Sequence, residues 1–436
     1  MKSKHIYLDS ASTTPVDPKV LKAMMPYFSG RYGNPSSLHV LGRESKNAIE
    51  TARKNIAKQI GAEPEEIIFT SGGTESDNLA MFGLARAYKE KGKHIIVSGI
   101  EHKAILDACK RLEKEGFEIT YLDVDKKGLV SLERLSSSLR RDTILVSIMY
   151  ANNEIGTVQP IKEIAKIIQE FKTVRHCDPS AGWRTEKQSV YFEIATFHPS
   201  EAFGEGGSRT PRNDRFIYNS LFPVFHTDAC QAAGALPLNV KELGVDALTM
   251  SASKIYGPKG AGCLYLDKKY KIEPVMVGGG QERRLRSGTE NVAGIVGFSE
   301  AFSISEKKRV LENKRLTKLR DYFLKRIQKE ISGVIVNGDI KQRLPNNINI
   351  SIKGVEGESL ILLLDKYGIY CSTGSACSSL DLNPSHVLLK IGLPLELAHC
   401  SVRFTLGRYT KKGDLDQTMK VLIECVIKIR GISSIK

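Results

Sequence analysis

Apolar positions along the first three hundred residues switch between two periods. Stretches with helical spacing, Pro18–Phe28, Gly42–Ile60, Glu75–Glu90, Ala104–Lys114 and Ile161–Phe171, alternate with short β-branched runs. Those runs are Ile67–Thr70, His94–Val97, Thr143–Ile148, Val224–Thr227 and Ala247–Ser251. Such alternation predicts an α/β fold: a mostly parallel sheet with helices on both faces. Beyond about residue 305 the pattern changes. It predicts a charged helix to about Ile331, strands at Val334–Asn337 and Ile348–Ile352, a helix at Ser359–Leu364 and a last helix near Asp414–Arg430. The expected organisation is a large domain over 12–305 and a smaller α+β domain made of 1–11 and 306–436.

One segment breaks the alternation. Thr173–Phe222 separates a helix from the next strand without helical periodicity, and connections that long are uncommon inside a compact domain. It holds Trp183, six basic and six acidic residues, a candidate strand at Ser189–Phe197 and a loop at Gly204–Asn213. We read it as a surface insertion. Because it leaves a helix and enters a strand, it is expected at the N-terminal edge of the strands.

Composition narrows the classes. The 436 residues are 41% hydrophobic and 26% charged, a balance that excludes a disordered or fibrous chain and leaves room for about two to three domains. No apolar run approaches the roughly 18 residues needed to span a bilayer, and Met1–Asp9 has no apolar signal region, so no membrane association is expected. Eight scattered cysteines form no Cys-x-x-Cys pair, which argues against a disulfide framework or a zinc ribbon. No metal centre is expected, and a reducing cytoplasm is the expected compartment. The net charge of +15 is spread along the chain without a basic block or aromatic interleaving. It predicts attraction to anionic ligands rather than a direct nucleic-acid interface.

Ligands of open parallel sheets bind beyond the carboxyl ends of the strands. The five apolar runs are followed by Ser71-Gly-Gly-Thr-Glu75, Glu101-His102, Asn152-Asn-Glu154, Asp228 with Gln231, and Ser253-Lys254. Each alone has a turn or capping explanation; together they describe one pocket. Gly73 and Thr74 open a predicted helix, where free N–H groups bind phosphate, and Thr74 has Asp77 at capping-box spacing. A structural turn explains the glycines equally well, since neither a Walker loop nor Gly-x-Gly-x-x-Gly is present. Lys254, its stem held by an apolar strand, suits Schiff-base chemistry or is simply solvated. Asp228 can pair with a protonated pyridine nitrogen, or cap a helix. His102 can stack on a flat cofactor. Cys377 lies among small residues in Tyr370-Cys-Ser-Thr-Gly-Ser-Ala-Cys377-Ser-Ser-Leu-Asp-Leu-Asn-Pro384, a loop composition suited to a reactive thiolate.

In combination these residues resemble the NifS/IscS-type cysteine desulfurases. The motifs are Ile6-Tyr-Leu-Asp-Ser-Ala-Ser-Thr-Thr-Pro15, Phe69-Thr-Ser-Gly-Gly-Thr-Glu-Ser-Asp-Asn78, Glu101-His-Lys103, Asn152-Asn-Glu-Ile-Gly156, His226-Thr-Asp-Ala-Cys-Gln231, Lys254-Ile-Tyr-Gly-Pro-Lys-Gly260, Arg286-Ser-Gly-Thr289 and Ser375-Ala-Cys377. The resemblance implies a class V aminotransferase architecture, pyridoxal-phosphate (PLP) fold type I, acting as a homodimer on L-cysteine. It implies PLP held covalently by Lys254, Asp228 on the pyridine nitrogen, Gln231 on the ring oxygen and His102 stacked on the ring. Gly73, Thr74, Ser251 and Ser253 would cradle the phosphate, with Thr289 reaching it from the other subunit. Asn153 would position cofactor and substrate, Asn34 would line the site, Arg403 would grip the substrate carboxylate, and Cys377 would be the nucleophile that takes the sulfur. A sulfur-acceptor protein, for iron–sulfur assembly or tRNA thiolation, is implied as partner. The competing readings are another class V PLP enzyme, such as a selenocysteine lyase or an aminotransferase, and a catalytically impaired sulfur-transfer platform. Two departures stand out: Ser253 occupies the place where the family usually has His, and the 173–222 segment is foreign to the pattern.

Overall fold

The computed structural model describes residues 5–177, 221–373 and 384–432. Its strands are β1 (Ile6–Tyr7), β2 (Ile67–Thr70), β3 (His94–Ser98), β4 (Glu118–Leu122), β5 (Thr143–Ser147), β6 (Val224–Asp228), β7 (Ala247–Ser251), β8 (Gly262–Leu266), β9 (Val334–Val336), β10 (Asn347–Ile352), β11 (Ile369–Tyr370) and β12 (Ser401–Thr405). Seven of them form the central sheet in the order β2-β8-β7-β6-β5-β3-β4. All run parallel except β8, which is antiparallel to both β2 and β7. Every residue of β2, β3, β5, β6, β7 and β8 is buried. That is why these strands read as continuous apolar runs rather than as alternation. Successive residues serve opposite faces: Phe225 and Leu248 enter one apolar layer, Val224 and Ala247 the other.

The second core is smaller. Strands β12-β10-β9 form an antiparallel sheet, and β1 pairs in parallel with β11. Ile6 and Leu8 pack there with Phe323, Ile350, Phe404 and Leu415. No linker separates the two cores near residue 305. One helix of 39 residues, Val292–Glu330, packs Phe298 and Phe302 into the large core and Phe323 and Ile327 into the small one.

The five predicted strands and the long helices are present within a few residues. The helix predicted to end near Phe171 continues as Ile161–Cys177. Five strands were not expected: β1, β11 and β12 of the small core, and two in the central sheet. The edge strand β4 carries polar residues, and β8 follows a glycine-rich turn and runs against the strand–helix–strand logic. Short helices at Leu132–Ser138, His386–Lys390 and Leu395–His399 span too few turns to show a period. Most of the long segment, with Trp183 and Ser189–Phe197, lies outside the described residues. Its last residue, Phe222, is buried against Tyr88 and Tyr270 just before β6 begins. The chain therefore rejoins the sheet at the strand N-terminal edge, opposite the site.

Candidate active site

The carboxyl ends of β2, β3, β5, β6 and β7 converge on a cavity of about 430 Å³. At one end, the chain leaves β2 through Gly72, whose φ of 152° disfavours a side chain, and starts the helix Gly73–Ala87. A Cβ on Gly73 would come within 2.6 Å of Cys230 Sγ, so any larger residue would force the Cys230 side chain to move. The expectation that Thr74 caps this helix is not met: Gly72 is the N-cap, without a side-chain bond. Because the turn closes two residues earlier, Thr74 lines the cavity instead, and Asp77 is buried beneath it. N–H groups in the first helical turn lack intrahelical acceptors. Beside them the Ser251 and Ser253 hydroxyls lie 3.1 Å apart. A helix start plus two hydroxyls is a donor set for a phosphate monoester.

Lys254 closes the short 3-10 turn after β7 and donates from Nζ to the Ser12 carbonyl. Asp228 ends β6, is almost fully buried, and accepts the Cys230 N–H at 2.8 Å. Behind it, burial and the Asp228 charge push the Asp77 carboxyl well above its usual range. The adjacent His226 ring, bonded to Ser147 at 2.8 Å and Thr249 at 3.0 Å, is lowered to about 4 by burial and stays neutral. Both neighbours are thus held toward their neutral forms behind Asp228. Gln231 donates to the Ala11 carbonyl at 3.0 Å. His102 caps the helix Lys103–Lys114 by accepting the Ala104 N–H on Nδ1 at 3.1 Å, which places the proton of the neutral ring on Nε2. Burial raises the preceding Glu101 to about 8, although Ser98 and the Met149 N–H bond it at 2.5 and 2.8 Å.

The other end of the cavity belongs to the small sheet. Arg403, on β12, is buried; its Nη1 donates to the Asn153 carbonyl at 2.8 Å, and its Nη2 meets Asp9, Ser12 and Ser372 at 2.9, 2.7 and 2.8 Å. Its Nε is buried with no partner among the described residues. Gly73, Thr74, His102, Asn153, Asp228, Gln231, Ser251, Ser253, Lys254 and Arg403 thus share one cavity wall. Asn34 and Thr289 do not line it within the single chain; Asn34 Oδ1 accepts the Ser36 N–H at 2.9 Å. Cys377 lies outside the described residues. The wall also holds Ser12, Asp77 and His386, to which sequence reasoning gave no site role, and Glu154, which it placed in the pocket without assigning it a function. Glu154 and Ser12 stand inside motifs that were legible; nothing in the sequence marked His386.

A strand-end lysine, a buried carboxylate and a phosphate-type donor set on a doubly covered parallel sheet define the PLP-dependent fold type I class. The class V aminotransferase family model matches residues 6–191 and 222–418, with its interruption inside the long segment. The chain is 49% identical to the cysteine desulfurase IscS of Dictyoglomus turgidum over 433 residues, covering 99% of this chain and 97% of that one. It is 45% identical to the IscS of Methanosarcina thermophila over 432 residues, covering 99% and 94%. A solved NifS-like protein superposes with a TM-score of 0.81 at 33% identity, over 98% of this chain and all of the other. The chain belongs to the NifS/IscS-type cysteine desulfurase family of PLP enzymes.

Proposed function

We propose that the chain converts L-cysteine to L-alanine and moves the sulfur onto Cys377 as a persulfide. The observation that supports this best is the two-ended cavity. Lys254, Asp228 and the glycine turn stand at one end, while Ser372 and Ser385, the flanks of the Cys377 segment, are tied to Arg403 and Glu154 at the other.

Lys254 would hold PLP covalently, Asp228 its ring nitrogen, and Thr74, Ser251 and Ser253 its phosphate. PLP supplies an electron sink at the substrate α-carbon. Arg403 orients the substrate carboxylate with a fork of N–H donors. Lys254 Nζ, once released, carries the proton at Cα, and the His102 Nε2–H stands at the cavity wall as a donor. The Cys377 thiolate attacks the substrate sulfur: an S–S bond forms, the Cβ–S bond breaks, and protonated Cβ leaves as the methyl of alanine. Carbon is reduced as sulfur is oxidised, so no outside oxidant is needed.

A homodimer is part of the proposal. Leu21, Phe28, Leu38 and Val277 are 49, 60, 89 and 78% exposed, which suits burial by a second copy bringing its Thr289 and Asn34 to the site. An acceptor protein serving iron–sulfur assembly or tRNA thiolation would take the sulfur in the cytoplasm, without direct nucleic-acid contact. No helix among the described residues is long and apolar enough to cross a membrane. The test is the absorbance of purified protein with and without L-cysteine, together with intact mass. A visible band that shifts with cysteine and one added sulfur atom, absent in Cys377→Ser, is expected. Sulfur loading in Cys377→Ser would remove that thiol from the mechanism.

A further inference from the structure

Glu154 has a position that the roles above do not use. Its backbone is fixed from both cores. Asn152 Oδ1 accepts its N–H at 2.9 Å, and its carbonyl accepts from Asn347 and Asn349 of β10 at 3.0 and 3.1 Å. Its side chain then has little choice of direction: the carboxyl is buried at the cavity wall and accepts a hydrogen bond from the Ser385 hydroxyl. Ser385 Oγ also accepts the Leu388 N–H at 3.2 Å, so its one proton is committed to Glu154. The next residue, His386, donates from Nε2 to the Glu101 carbonyl at 3.0 Å. Residues 385–386, which follow the segment bearing Cys377, are thereby pinned to Glu154 and to Glu101.

We propose that Glu154 is a positioning residue for sulfur transfer, acting through Ser385 to hold the return of the Cys377 segment against the cavity that contains Lys254. This rests on the desulfurase reading. The groups facing the carboxyl are Arg403 from β12, and His102 and Lys103 from the start of the helix Lys103–Lys114. Burial raises it to about 7, against the lowering pull of Ser385 and those three residues. A carboxylate accepts a hydroxyl bond more strongly than a carboxylic acid does. The tie therefore tightens as pH rises through about 7 and loosens below it.

The experiment compares PLP-loaded wild type with Glu154→Ala, Ser385→Ala, the double variant and Glu154→Gln. Alanine formation is followed from pH 6 to 9, alongside persulfide on Cys377 in a single turnover. Each Ala variant should lower kcat about tenfold, with KM for L-cysteine within about twofold and the PLP band retained; the double should be no slower than either single. Glu154→Gln keeps an acceptor for Ser385 but cannot ionise, so it should recover most of kcat and lose the part of the pH profile centred near 7. Additive losses in the double variant, an unchanged kcat, or a loss confined to KM would overturn the proposal. If Glu154→Ala does not fold, Ser385→Ala against Glu154→Gln still decides it. If wild type itself forms no persulfide, the desulfurase reading fails first; persulfide in wild type with normal single-turnover rates in both Ala variants defeats only the positioning role.

Discussion

The two ends of the cavity are built by different means. Asp228, Ser251 and Lys254 stand on or just past β6 and β7, strands paired on both sides in a sheet buried on both faces. At the other end, main-chain bonds fix the Arg403 backbone in β12 and bridge it to Ser372, but the Arg403 guanidinium and the flank at Ser385 are held across the cavity by side-chain bonds, to Asn153, Asp9, Ser12 and Glu154. The first end owes its geometry to main-chain pairing and apolar burial, which no single side chain controls. The second depends on a few polar contacts, each of which one substitution removes. Removing the reacting group of the first end should therefore abolish chemistry and leave the fold, whereas change at the second end, or at a side chain that only lines the first, should grade the rate or the affinity.

The largest effect is expected at the sheet end. In Lys254→Ala, β7 and its ladder keep their pairing, since Lys254 lies beyond the strand. Turnover should fall by at least about a thousandfold because the covalent attachment has no substitute. Absorbance spectroscopy should show the lysine-linked band gone while circular dichroism stays as in wild type. A retained band would mean that another amine holds PLP, and the contrast between the two ends would lose its anchor.

The next is Arg403→Lys, which keeps the charge and loses the fork. A single ammonium cannot reach the Asn153 carbonyl and also Asp9, Ser12 and Ser372. KM for L-cysteine should rise about thirtyfold, roughly 2 kcal/mol, with a smaller change in kcat. Steady-state kinetics checks the split. A kcat loss with KM unchanged would move Arg403 from carboxylate recognition to holding the flank at Ser372.

The same contrast explains what the sequence made legible. Strand ends announce themselves, because an apolar run stops and polar residues follow; Thr74, Asp228, Ser253 and Lys254 were readable in that way, as was their meeting in one pocket. Side-chain ties between distant segments leave no local pattern. Asp9 and Arg403 are 394 residues apart, and Glu154 and Ser385 are 231 apart, so their pairing is visible only once the small core is folded against the large one. The antiparallel β8 was missed for a related reason: its partners are chosen by the sheet, not by its own five residues. Thr74 was misread locally, because the backbone freedom of Gly72 lets the helix begin before a side-chain cap is needed.

The smallest effect is expected at Ser253, where the sheet end departs from the family pattern. Its carbonyl accepts both the N–H and the hydroxyl of Thr14 at 2.9 Å, so the backbone is fixed and only the side chain is open to change. Its hydroxyl is already shared with Ser251 at 3.1 Å, which divides one donor between a neighbour and an incoming phosphate. An imidazole in its place, in Ser253→His, frees Ser251 Oγ and brings its own N–H. One new bond to a charged group, set against the hydroxyl–hydroxyl bond it replaces, should tighten PLP about tenfold, about 1.4 kcal/mol. Equilibrium titration of cofactor-stripped protein with PLP measures it. An unchanged dissociation constant would mean that the helix start at Gly73 and Thr74 already satisfies the phosphate, and that the hydroxyl pair contributes packing rather than affinity.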